Sequence, residues 1–165
     1  MSLNKNMTFI EHLEQLRWVF LRVIILNLIL MCIAFVYSNQ IQDILVAPIN
    51  SLELKNFYLQ DIKITSPFMA KIIISLFSAV IISFPHFIFE VYRFIYPAIS
   101  NISKIFLFFI FIFSNILFLF GCFFGYTYLL PLSISFFIKL IDQNVTFAPE
   151  RVGYIFYSFW LIVVS

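Results

Sequence analysis

Cysteine, glycine and charge are all scarce in this chain. Two cysteines in 165 residues cannot frame a disulfide scaffold, and three glycines exclude collagen-like or linker-like composition. Cys32 and Cys122 both lie inside apolar runs, where a thiol acts as a small hydrophobe facing other helices. Charged residues make up 11% of the chain and the net charge is +2, with the basic residues scattered, so a nucleic-acid surface is excluded. His12 and His86 are the two histidines. Metal-ligand spacing, a phosphate-binding glycine loop and a nucleophile motif are all missing, which reads as a non-enzyme with no catalytic residue, metal or cofactor.

What is abundant is apolar: 63% hydrophobic residues, 24 of the residues phenylalanine, and a mean hydropathy of +1.05. Long apolar runs exclude disorder, which needs low hydrophobicity. A polytopic, all-α membrane helix bundle remains, read as one membrane domain over 1–165. The excess of Phe, Ile, Asn and Lys also suits an A+T-rich gene of the kind found in organelles and reduced bacteria.

The chain does not open like a cleavable signal peptide, because Glu11, His12, Glu14, Gln15 and Arg17 stand where an apolar region would be. Thr8 and Glu11 have capping-box spacing, so an amphipathic helix is expected over 8–17, with Phe9, Leu13 and Leu16 opposite Glu11, Glu14 and Gln15. A first span is expected over 18–37, about 20 residues, which suits a hydrocarbon core of roughly 30 Å. Arg22 near its start reaches back to the headgroups, and Trp18 and Tyr37 are placed as interfacial aromatics.

The connection from Ser38 to Thr65 is expected to hold a short surface helix around Ile41, Ile44 and Leu45, stopped before Pro48. Ser66 and Pro67 look like an N-cap and a proline at the first helical position. The second span is expected over 67–89, kinked or ended by Pro85. A third follows over 105–130, interrupted by Pro131, and Leu132 to Ile141 reads as a short helix outside the bilayer or at its surface. A fourth run, 152–165, is too short to span, so the chain is expected to stop inside its fourth helix. Asn115 is the main deep polar residue; with Gly121 and Gly125 spaced for close approach, it reads as helix-packing glue.

Basic residues divide evenly between the two sides, Lys5, Arg17, Arg22, Arg93 and Lys104 against Lys55, Lys63, Lys71, Lys139 and Arg151. The denser link around Arg93 favours the N-terminal side as cytoplasmic or matrix-facing. On that side lie Glu11, Glu14, Gln15 and Arg17, with Glu90 and Arg93 after the second span. Taken one by one they are an ordinary solvated helix face and membrane flank.

Their order says more. His12-Leu13-Glu14-Gln15-Leu16-Arg17 ahead of the first span, Pro48, Ser66-Pro67-Phe68, the stretch from Ser83-Phe84-Pro85 through Glu90-Val91-Tyr92-Arg93-Phe94 to Tyr96-Pro97-Ala98, and Gly125-Tyr126 with Pro131-Leu132 form an ordered series. In that series the sequence resembles the TatC family, the multispan receptor subunits of the twin-arginine protein translocase, over nearly its whole length. The resemblance implies a six-span fold and a transport role without covalent chemistry. It implies a signal-peptide site at Glu14, Gln15, Arg17, Glu90 and Phe94, and structural roles, some in an external cap, for Pro48, Pro67, Pro85 and Tyr126. The implied partners are twin-arginine signal peptides of folded cargo, single-span translocase subunits, the lipid bilayer and further copies of the chain. Two family acids are replaced, by Gln15 and Ser103. A carboxylate is what pairs bidentately with a guanidinium, so the alternative is a structural or assembly subunit that keeps the fold without signal recognition. The expected location is the inner membrane of a mitochondrion, organelle-encoded, or else a bacterial plasma membrane.

Overall fold

The computed structural model describes residues 9–50, 59–95, 104–140 and 148–165. Among these, the chain is all helical: α1 (Phe9–Val36), α2 (Ser38–Asn50), α3 (Ser66–Ile95), α4 (Lys104–Phe124), a π-helical turn (Gly125–Leu129), α5 (Leu130–Leu140) and α6 (Arg151–Val164). One isolated bridge, Gln60 to Glu150, is the nearest thing to a sheet. Three stretches are long and apolar enough to cross a membrane, Leu13–Val36, Ser66–Ile95 and Ile105–Leu140, and Arg151–Val164 is a shorter apolar helix. The protein is a multi-pass membrane protein.

The helices run further than the breaker residues suggest. The amphipathic segment and the first span form the single helix α1, because nothing between Arg17 and Trp18 interrupts it. At 28 residues it is about 42 Å long. Tyr37 alone separates it from α2, whose Ile41 N–H bonds back to the Tyr37 carbonyl.

Prolines are absorbed rather than obeyed. Pro48 lies within α2, and Pro85 lies within α3, which continues to Ile95 and so takes in Glu90. Pro131 falls in the first turn of α5, just after the π-helical turn, in which the Leu130 N–H bonds to the Gly125 carbonyl. That wider turn resets the ladder where a proline cannot donate, so the third apolar stretch runs on to Leu140 without a break. At the start of α3 the first helical bond runs from the Met69 N–H to the Thr65 carbonyl. The cap therefore falls on Thr65, one residue before Ser66, and Pro67 sits in the first turn, where its missing N–H costs nothing.

Packing is inverted relative to a water-soluble bundle. The buried face of α3 is Ser66, Ala70, Ile74, Ser75, Ser78, Ala79, Ser83 and Glu90, small or polar except for Ile74, while Phe68, Leu76, Ile82 and Phe89 are exposed. Lipid is as apolar as leucine, so large side chains gain little by turning inward and small ones let helices approach. Among the described residues, the α1–α3 interface is the most extensive. Within it the Asn27 amide donates to the Ser83 hydroxyl at 3.0 Å, which itself donates to the Val80 carbonyl at 3.1 Å.

Aromatic rings tie α3 to α4, with Phe84 stacked on Phe118 at 3.6 Å and Phe89 and Tyr92 both against Phe111. The apolar core lies at the opposite end from Glu90, where Leu45, Ala70, Ile74, Leu130, Ile134, Tyr154, Ile155, Phe159 and Ile162 join α2, α3, α5 and α6. Gly121 lies against Ser165, just past α6, and Gly125 meets α6 itself. A methyl group at Gly125 would lie 3.0 Å from the Ser165 Cβ and 3.1 Å from the Ile162 Cα.

Candidate functional site

Two helix faces meet at the end of the molecule that holds the N-terminal half of α1. Gln15, Trp18, Val19 and Arg22 recur at the i, i+3, i+4, i+7 spacing of one helical face, and Glu90, Arg93 and Phe94 at i, i+3, i+4 of another. Together they line a cavity of about 240 Å³.

Glu90 is its innermost polar group, with a side chain 4% exposed. A carboxylate at that depth in an apolar helix needs a counter-charge. Arg22 supplies it from α1, through one contact of 3.4 Å between its Nη1 and the Glu90 Oε2. The other oxygen faces His86, one turn earlier on α3, at 3.9 Å. The Arg22 side chain is 47% exposed, so the cation sits at the mouth and the anion at the floor. The arrangement can hold a flexible cationic or amide-bearing side chain against the wall of Trp18, Val19 and Phe94. It contains no nucleophile and base within bonding distance, and no group of three metal ligands occurs among the described residues.

Of the residues expected at a signal site, Gln15, Glu90 and Phe94 line this cavity, whereas Glu14 and Arg17 are exposed and do not. Ser103 and Tyr96-Pro97-Ala98 lie outside the described residues, as do Thr8 and the side chains of Glu11 and His12. Sequence reasoning missed Trp18, Val19 and Arg22, having ended the amphipathic helix at Arg17. Carried on through residue 22, the same periodicity would have found them.

The far end is a separate polar cluster. Pro48 takes one donor out of α2, and the Tyr126 hydroxyl donates to the Ile44 carbonyl at 2.8 Å while the Tyr154 hydroxyl donates to the Leu45 carbonyl at 2.8 Å. Nearby, Asp61 and Arg151 pair at 3.0 Å, flanked by main-chain bonds from Gln60 to Pro149 and from Arg151 to Gln60. These contacts join the connection after α2 to the start of α6.

The sequence model of one protein family, described as Sec-independent protein translocase protein (TatC), matches residues 11–165, which takes in both clusters and every described helix except the first two residues of α1. The chain belongs to the TatC family. It is 29% identical over 163 residues to the TatC protein of Haemophilus influenzae, covering 98% of this chain and 63% of that one. It is 30% identical over 144 residues to the chloroplastic TATC of Oryza sativa, covering 86% of this chain and 39% of that one. A crystal structure of the twin-arginine translocase receptor TatC superposes with a TM-score of 0.83 at 31% identity, covering 93% of this chain and 68% of the other. The chain thus spans less than two thirds of the length of these two relatives. TatC proteins are transport components, and the helical bundle around Arg22 and Glu90 is this family's fold.

Proposed function

We propose that this chain is the signal-recognising membrane subunit of a twin-arginine protein translocase. The observation that carries the reading is the cavity between α1 and α3, with Gln15, Glu90 and Phe94 on its wall. A signal peptide lays its arginine region at this end, with Phe94 and Trp18 as apolar surface and Glu90 as the acid, while Glu14 and Arg17 flank the approach. Single-span subunits and further copies of the chain pack on the exposed faces of the spans. Folded cargo then moves at the expense of the proton-motive force, and no covalent step is involved. The Tyr126–Ile44 and Asp61–Arg151 contacts serve as an external cap, with Pro67 and Pro85 shaping α3 between the two ends. The membrane we assign is the mitochondrial inner membrane, with a bacterial plasma membrane as the alternative. A chloroplastic relative and the Phe- and Ile-rich composition support an organelle.

A second reading, a structural or assembly subunit without signal recognition, is favoured by one observation: Gln15 carries no charge and Glu90 already has Arg22 as partner. Export of a twin-arginine reporter separates the two. Loss of export on deleting this chain, restored by the wild-type protein, supports the receptor; unaffected export supports the structural subunit.

A further inference from the structure

Resting on that receptor reading, the geometry points to Arg22 as a built-in occupant of the arginine site: a signal guanidinium binds Glu90 by displacing Arg22 from it. Among the described residues, Glu90 is the one acid lining the cavity, and the other charges lining it, Arg22 and Arg93, are positive. An arginine that entered without exchange would put a second guanidinium on a buried carboxylate that already holds Arg22, in a cavity where Arg93 adds a further positive charge. Exchange avoids this.

The contact is built to be replaced. Arg22 reaches Glu90 by one nitrogen at 3.4 Å, longer than the 2.7–2.9 Å typical of a charge-assisted hydrogen bond and short of the bidentate fork that guanidinium and carboxylate prefer. Its side chain is half exposed, so part of the attraction is lost to solvent. Once released, its long stem can swing the charge away from Glu90 into the solvent that its side chain already meets. Glu90, by contrast, is almost fully enclosed and cannot leave with it. The burial that makes an unpaired Glu90 costly also keeps the acid from standing empty between signals. Arg22 thus sets a threshold. A ligand must pair with Glu90 better than Arg22 does, which favours the planar fork of arginine over the ammonium of lysine.

The test is binding of signal peptides bearing Arg-Arg or Lys-Lys to the membrane-inserted protein in nanodiscs, for wild type, Arg22→Gln, Arg93→Gln and Arg22→Gln/Glu90→Gln. Removing the occupant should tighten Arg-Arg binding about fivefold, the scale of one partly exposed ion pair. Arg93→Gln removes the same charge without freeing Glu90 and should gain distinctly less. The double variant should lose the preference for Arg-Arg over Lys-Lys. Unchanged or weaker binding by Arg22→Gln, or an equal gain from Arg93→Gln, overturns the exchange; weaker binding would mean that Arg22 itself contacts an anionic group of the ligand. If wild type fails to distinguish the two peptides, the receptor reading falls and takes this inference with it, a different result from a wild type that discriminates while Arg22→Gln does not gain. Should Arg22→Gln fail to insert, Arg22→Lys decides. Its point charge keeps Glu90 compensated yet yields more readily, so Arg-Arg binding about twofold tighter is expected, and binding no tighter than wild type overturns the proposal.

Discussion

The phenolic hydroxyl of Tyr126 donates a 2.8 Å hydrogen bond to the main-chain carbonyl of Ile44, the oxygen that the N–H of residue 48 would take in an uninterrupted helix. Residue 48 is proline and has no N–H to give. A side chain 82 positions along the chain thus does the work of a missing backbone donor, and it ties α2 to the π-helical turn.

Tyr126→Phe should therefore destabilise the protein by about 1 kcal/mol, the net value of one hydrogen bond. In a Pro48→Ala background, where residue 48 can donate again, the same change should cost less than half as much. Thermal unfolding of the four proteins in detergent gives the coupling energy. Equal costs in both backgrounds would mean that tyrosine and proline act independently.

Glycine is needed at a helix crossing at Gly125 and not on the open face of α6 at Gly153. A Cβ at Gly125 would press on Ile162 and Ser165, whereas one at Gly153 meets nothing within 4 Å. Gly125→Ala should cost about 1–3 kcal/mol through overpacking. Gly153→Ala should be neutral or stabilising by up to about 1 kcal/mol, since alanine is the better helix former. Limited proteolysis in nanodiscs ranks the variants, and matching behaviour would show that the π-helical turn and α6 do not depend on this close approach.

Hydrophobic run length marked the spans in the sequence, because the bilayer sets a minimum of about 20 apolar residues. Motif order identified the fold, and Gln15, Glu90 and Phe94 do share a cavity. Proline is a weaker stop than its local chemistry suggests: Pro48 lies inside α2, where a tyrosine hydroxyl takes up the carbonyl left without a donor, α3 continues past Pro85, and Pro131 follows a π-helical turn. Local sequence marks Arg22 only as a headgroup anchor, since its pairing with a residue 68 positions away has no local signature. Asn27 was passed over for Asn115 for the same reason. Its partner is Ser83 on another helix, while the Asn115 amide only bonds back to the Phe111 carbonyl of its own helix.

The Asn27–Ser83 bond gives a third expectation. Interhelical hydrogen bonds within membranes are worth about 0.6 kcal/mol on average, because the separated helices find other partners. Asn27→Leu and Ser83→Ala should each destabilise the bundle modestly, and the pair should cost about 0.6 kcal/mol less than the sum. Steric-trap or detergent unfolding of the cycle measures it. Full additivity would remove this bond from the forces joining α1 to α3.

Gln15 offers the most direct gain of function. Its amide lines the cavity but supplies no charge, leaving Glu90 as the only acid there among the described residues, whereas Glu14 is exposed and off the cavity wall. On a helix the two positions are turned about 100° apart, so one cannot stand in for the other. Gln15→Glu should therefore strengthen binding of an Arg-Arg signal peptide by about 1 kcal/mol, and Glu14→Gln should change it little. The gain should fade as salt rises, since charges near the surface are screened over about 8–10 Å at physiological ionic strength. It should also be smaller for Lys-Lys, which lacks the planar fork. Titrating both peptides against the three proteins at low and high salt checks each step. Were Glu14→Gln to weaken binding more than Gln15→Glu strengthens it, the arginine would lie on the exposed face of α1 rather than in the cavity beside Glu90.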